Sequence, residues 1–201
     1  MVGTMKVTKS ISKKDKTKGD PSASRSITVV GISGTPGCGK TTLAQKLEKN
    51  LGIEKYQFIN IAELIKSRKL YSEWDDEMNC SIFDDKLVRR EVEKLVYGAQ
   101  DSGKSAVILE FHSLDFLRKK FLDKVFVLRT DTGILWQRLE SRKYTEKKIK
   151  ENVEAEIFME CFNDCQDKFG PESVECLDSN TEADMKKNMA TIAAFIRNNI
   201  D

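Results

Sequence analysis

The sequence predicts an α/β protein: an open sheet of five mostly parallel strands with helices on both faces. Three observations predict it. Short β-branched and aliphatic runs recur, each the length of a buried strand. Segments with a four-residue apolar step separate them, as in βαβ crossovers. A glycine-rich turn joins the first strand to the first helix.

The first run is Ile27-Thr28-Val29-Val30-Gly31-Ile32-Ser33, almost continuously apolar, as a strand covered on both faces should be. A helix is predicted over 41–50, where Leu43 and Leu47 are four apart, and a second strand over 56–61. Residues 84–100 read as a long helix with Leu87, Val88, Val92, Leu95 and Val96 on one face. Strands at 105–109 and 124–128 center on Val-Ile-Leu and Val-Phe-Val. Helices follow over 132–142 and 145–169, the second opening at Thr145 as N-cap. A short strand at 174–177 precedes a last helix. There Thr181 and Asp184 have capping spacing, and Met185, Met189, Ile192 and Ile196 form the stripe.

Gly34-Thr35-Pro36-Gly37-Cys38-Gly39-Lys40-Thr41 satisfies every fixed position of G-x-x-x-x-G-K-[ST]. Gly34, Gly37 and Gly39 permit backbone angles that turn several N–H groups inward and admit phosphate oxygens. The following helix adds the positive end of its dipole. Lys40 brings a mobile charge for the β/γ-phosphates, and the Thr41 hydroxyl is a Mg²⁺ ligand. ATP and Mg²⁺ are therefore the expected ligands. A GTPase would need Asp-x-x-Gly and Asn-Lys-x-Asp after later strands. Residues 110–113 read Glu-Phe-His-Ser and 178–181 Asp-Ser-Asn-Thr, which argues against guanine specificity.

Composition bounds the rest. The 201 residues suit one domain with a sizeable core, and no apolar run approaches a bilayer span or a secretory h-region. Five cysteines without paired spacing point to a reducing compartment. The net charge of +2 hides an asymmetry, because residues 1–26 hold seven basic groups against two acidic ones. That Lys/Ser/Thr-rich segment reads as a disordered basic tail, with the domain over 27–201. The tail is either a solubilizing segment or a nuclear signal or nucleic-acid contact.

With these pieces in place, the chain resembles the nuclear adenylate kinase isoenzyme 6 family, the coilin-interacting nuclear ATPases, from Ile27 to nearly its end. The loop with Thr42 and Leu43 carries the resemblance, as do Val125-Phe126-Val127-Leu128-Arg129-Thr130-Asp131-Thr132, Arg138-Leu139-Glu140 and Arg142-Lys143-Tyr144. Glu146-Lys147-Lys148, Glu156-Ile157-Phe158 and Leu70-Tyr71 with the acidic run 73–77, Cys80 and Ile82 add to it.

The resemblance implies a P-loop nucleoside monophosphate kinase fold with a monophosphate-binding segment near 60–83 and a short lid near 141–151. It implies phosphoryl transfer between ATP and AMP with slow ATP hydrolysis. It also implies residence in nucleus and cytoplasm and a monomer, and the lack of a long apolar run leads us to expect no membrane attachment. A role in small ribosomal subunit assembly with a ribosomal protein partner completes the picture. On this pattern the ATP contacts are Gly37, Cys38, Gly39, Lys40, Thr41, Thr42, Arg138, Arg142, Asn180 and Thr181. Arg142 is the lid arginine, and Asn180-Thr181 faces adenine. Arg129 and Arg138 have a duller reading as solvated or ion-paired arginines.

The chain departs from the family pattern mainly on the acceptor side. Asp-x-His becomes Glu110-Phe111-His112, which keeps the charge for Mg²⁺, expected through water, but moves the carboxylate by about one bond length. His112 is the chain's single histidine, either a satisfied strand-end residue or an active-site group that orders water. The glycine after this triplet is Ser113, Gly-Asp is Ala62-Glu63, and the lid glycine is Lys143. The arginine expected on the AMP phosphate aligns with Lys66, a point charge in place of a planar fork, with Arg68 two residues on.

Two further features read as structure. Cys161 and Cys165 continue the four-residue series Ile149, Val153, Ile157 and read as core in preference to a metal pair. The acidic run 73–77 reads as a solvated loop that a basic partner could contact.

Overall fold

A computed structural model describes residues 25–52, 54–75 and 80–200. The predicted sheet is present. Its five strands are β1 (Thr28–Ser33), β2 (Tyr56–Asn60), β5 (Ala106–Glu110), β6 (Lys124–Arg129) and β7 (Val174–Asp178), all parallel in the order β2-β5-β1-β6-β7. A separate antiparallel pair, β3 (Tyr71–Asp75) and β4 (Cys80–Phe83), lies within the segment 60–83.

Alternating strand residues serve opposite faces. Val29, Val107, Leu109, Val125 and Val127 meet α2 (Ile61–Ser67), α3 (Asp85–Asp101) and α6 (Glu160–Phe169). Val30, Ile32, Ile108, Phe126 and Leu128 meet α1 (Lys40–Leu51) and α7 (Glu182–Asn198). A smaller cluster of Leu135, Leu139 and Ile149 joins α4 (Thr132–Ser141) to α5 (Glu146–Ile157). No helix among the described residues is long and apolar enough to cross a membrane.

The capping chemistry is as the sequence predicts. Thr145 accepts from Lys148 N–H at 3.3 Å, and Thr181 and Asp184 form a reciprocal capping box on α7. Asn60 closes β2 and caps α2 by accepting from Glu63 N–H at 2.9 Å, so the predicted strand end at Ile61 is instead the first residue of a helix.

Several expectations are corrected. The single helix over 145–169 is two, α5 and α6, parted at Met159, whose φ is 56°. The α5 helix packs on α4, whereas Cys165 and Phe169 of α6 pack against the sheet, and one straight helix cannot do both. Consequently Ile157 is 57% exposed and falls out of the apolar series that holds Ile149 and Cys165. Leu87 is also exposed, because the inward stripe of α3 is Val88, Val92, Val96 and Ala99. Of the acidic run, Glu73 to Asp75 belong to β3 and are not loop. Asp76 and Glu77 lie outside the described residues, as does the basic tail up to residue 24. Arg25, grouped with that tail by its charge, donates to the Phe121 carbonyl and pairs with Asp123 at 2.6 Å.

Candidate functional site

The phosphate loop occupies the end of β1 in a shape only glycine can supply at key points. Gly34 has φ 137°, and a Cβ there would sit 2.5 Å from the Leu128 carbonyl oxygen. Gly37 has φ 98° and presses its backbone against Leu135 and Leu139 of α4. Lys40 opens α1 and turns back, donating from Nζ to the carbonyls of Gly34 at 2.6 Å and Thr35 at 3.1 Å.

The Cys38 side chain points into the core, and burial pushes its thiol pKa up. Its amide donates to Thr35 within the loop, and its carbonyl accepts from Ser179 Oγ at 2.6 Å. Cys38 thus serves the loop's shape, while Gly37, Gly39, Thr41 and Thr42 line the cavities.

Two adjoining cavities open beside the loop. One, about 250 Å³, is walled by the loop, Asn60, Ala62, Glu110, Phe111, His112, Arg142 and Tyr144. The other, about 260 Å³, lies between Arg138, Arg142, the loop 179–182 and Met185. Gly37, Gly39, Thr42 and Arg142 belong to both. A linear ligand with a phosphate chain at one end and a flat base at the other matches this shape.

Glu110 ends β5 with its carboxylate under the loop. Thr41 Oγ1 donates to one oxygen at 3.1 Å and Asn60 Nδ2 to the other at 2.5 Å. Burial raises its pKa, and the Lys40 charge opposes that rise. A hydroxyl and a carboxylate on one side of a phosphate cavity suit Mg²⁺, which takes few protein oxygens beside phosphate and water. Among the described residues there is no cluster of three His, Cys, Asp or Glu that could hold a metal ion.

His112 lies two residues beyond the strand. Surrounding protein and the Lys40 charge depress its pKa to about 4, with Asp115 opposing. The residue is nonetheless exposed at the rim of the first cavity, which softens the shift without reversing it. It is therefore a neutral imidazole at physiological pH.

The arginines divide by what they touch. Arg142 caps α4 and lines both cavities, and its guanidinium makes no hydrogen bond or ion pair with the described residues. Arg138 donates to the carbonyls of Ser179 at 2.9 Å and Asn180 at 3.0 Å, so it fastens the loop that walls the second cavity. Arg129 is ion-paired, with Nε 2.9 Å from Glu156. The Asn180 side chain accepts from Asp131 N–H at 2.7 Å, and Thr181 caps α7, so both side chains are engaged in holding the loop that lines the second cavity.

On the acceptor side, Lys66 is exposed at the end of α2, and Arg68 is ion-paired with Glu91. Neither lines the phosphate cavity. The pair Cys161 and Cys165 is core: burial pushes their thiols to about 11 and about 12. Sequence reasoning missed Glu156, Ser179, Asn60 and Tyr144 as site residues. Tyr144 and Glu156 lie in stretches that carry the family resemblance and Asn60 opens the expected monophosphate segment, but their contacts at the site arise only through the fold.

The AAA domain family matches residues 30–159. The adenylate kinase isoenzyme 6 homolog of Caenorhabditis elegans is 34% identical over 162 residues, 80% of this chain and 85% of that protein. The homolog of Schizosaccharomyces pombe is 34% identical over 168 residues, 83% and 90%. Among solved structures, a shikimate kinase from Bacteroides thetaiotaomicron superposes with TM-score 0.52 at 15% identity, covering 85% of this chain and 98% of that one. A gluconokinase from Sinorhizobium meliloti 1021 gives 0.51 at 13%, covering 87% and 96%. At such identities these structures speak for the fold alone, a P-loop kinase sheet. With the relatives covering most of both chains, the protein is a P-loop nucleotide kinase or ATPase and belongs to the adenylate kinase isoenzyme 6 family.

Proposed function

We propose that the chain transfers the γ-phosphoryl group of Mg²⁺-bound ATP to AMP, giving two ADP, and hydrolyzes ATP slowly when AMP is absent. The observation that carries this is Arg142, whose guanidinium has no partner among the described residues and lines both cavities. Phosphoryl transfer needs neutralization of charge on the transferred group more than covalent help. Lys40 and Arg142 bring two positive charges to one place. The base of ATP would lie against the loop 179–182, and its phosphates along Gly37 to Thr42. An AMP phosphate oxygen attacks as the γ-phosphorus leaves the β–γ bridging oxygen. The attacking AMP oxygen is already anionic, so no general base is required, and the bridging oxygen leaves as a terminal phosphate oxygen of ADP. Mg²⁺ would be held by Thr41 and, through water, by Glu110. The family name borne by the relatives supports the same chemistry.

A second reading rests on a specific observation: Lys66 and Arg68 both stand away from the phosphate cavity. In that reading the chain is an ATP-hydrolyzing assembly factor for the small ribosomal subunit, a monomer of nucleus and cytoplasm. It acts through a ribosomal protein partner, and AMP is incidental. ADP formation from ATP, with and without AMP and beside Lys40→Ala, separates the two. Acceleration by orders of magnitude with AMP, abolished in Lys40→Ala, supports the kinase. Slow turnover indifferent to AMP and to a double-nucleotide inhibitor supports the assembly factor.

A further inference from the structure

We propose that Glu156 is a positioning residue that fixes the shape of the phosphate loop and, through it, the place of Lys40. The inference rests on the reading of that loop as the ATP site. Glu156 is 2% exposed, and a buried carboxylate is tolerable only when its lone pairs are met. They are met from three directions. The Thr35 hydroxyl of the loop donates to Oε2, while Arg129 Nε and Thr130 N–H donate to Oε1 at 2.9 and 2.8 Å.

An ion pair with Arg129 alone would not require this burial. Met159 takes a left-handed conformation, and Ile157 and Phe158 are left 57% and 67% exposed. Beside these exposed apolar side chains the Glu156 carboxylate is turned inward to the loop.

What Glu156 holds is specific. The Thr35 carbonyl is one of the two that receive the Lys40 ammonium. The loop's other end is fixed by Ser179 on the Cys38 carbonyl. Thr130 joins the two anchors, giving its N–H to Glu156 and its hydroxyl to the Ser179 carbonyl at 3.2 Å. The α5 helix begins just after the Arg142 turn and ends at this contact. It is therefore a strut between the arginine and the loop.

The test is steady-state kinetics with Mg²⁺ and ATP on wild type, Glu156→Gln, Thr35→Val, their double variant and Thr35→Ser. Folding is followed by circular dichroism and thermal melting. Glu156→Gln and Thr35→Val should each lower kcat about tenfold or more per folded molecule, with a smaller change in KM. The double variant should be no worse than the poorer single, and Thr35→Ser should restore the rate. If Glu156→Gln does not fold, the Thr35 pair still decides. Folded Thr35→Val with wild-type kcat overturns the proposal, as does an additive double variant. Failure of the ATP reading looks different: the wild type itself then binds no ATP, and both inferences fall.

Discussion

Thr41 Oγ1 lies 3.1 Å from Glu110 Oε1, so a hydroxyl in the first turn of α1 and the carboxylate that ends β5 share one edge of the phosphate cavity. The extra methylene of glutamate has not carried the carboxylate out of reach, because Asn60 holds its other oxygen at 2.5 Å. Glu110→Ala should raise the Mg²⁺ concentration for half-maximal ATP turnover about tenfold or more, whereas Glu110→Asp should fall between it and wild type. A magnesium titration of turnover checks this. An unchanged midpoint in Glu110→Ala would remove Glu110 from the cation's surroundings.

The two perturbed groups of the site predict opposite pH effects on stability. Burial raises the Glu110 pKa, so the folded state holds that proton more tightly than the unfolded chain and gains stability as pH falls through the raised value. His112 is depressed to about 4 from 6.5, so the unfolded chain holds its proton more tightly, and stability is lost between pH 6.5 and 4. Glu110→Gln should therefore melt no lower than wild type at pH 8, with any gain vanishing in acid. His112→Gln should flatten the acid decline. Melting temperatures from pH 8 to 4.5 test both signs.

Arg142→Ala should lower kcat about a hundredfold or more at nearly unchanged melting temperature, since the guanidinium has no partner among the described residues to lose. Arg142→Lys should recover little, because a point charge does not reproduce the planar fork. A variant at full rate would take the arginine out of the reaction.

Arg138 predicts the converse pattern. Removing its bonds to the Ser179 and Asn180 carbonyls loosens the wall of the second cavity without touching Lys40. Arg138→Ala should cost about 1–3 kcal/mol of stability and raise KM for ATP more than it lowers kcat. Equal losses in both constants would instead mark Arg138 as a group on the transferred phosphate.

Much of this was legible in the sequence, because it is local. A buried strand announces itself by an unbroken apolar run, as in Val29 to Ile32, and a helix cap by residues three apart, as in Thr181 and Asp184. The phosphate loop is eight consecutive residues whose glycines, lysine and threonine each do their work within the segment, so it too could be read directly. The break at Met159 was not legible. The four-residue apolar step runs straight through it, and only the competing demands of α4 and the sheet separate α5 from α6.

The sequence by itself determined the alternation of strands and helices, the phosphate loop and the caps, because each depends on residues within a few positions of one another. The tertiary structure alone decided which distant groups meet: Glu156 with Thr35 across 121 positions, Ser179 with Cys38 across 141, and Glu110 with Asn60 across 50. It also decided that Lys66 and Arg68 stand outside the phosphate cavity. A hydrogen bond fixes its partners by direction and by a separation near 3 Å, and no periodicity along the chain encodes that separation.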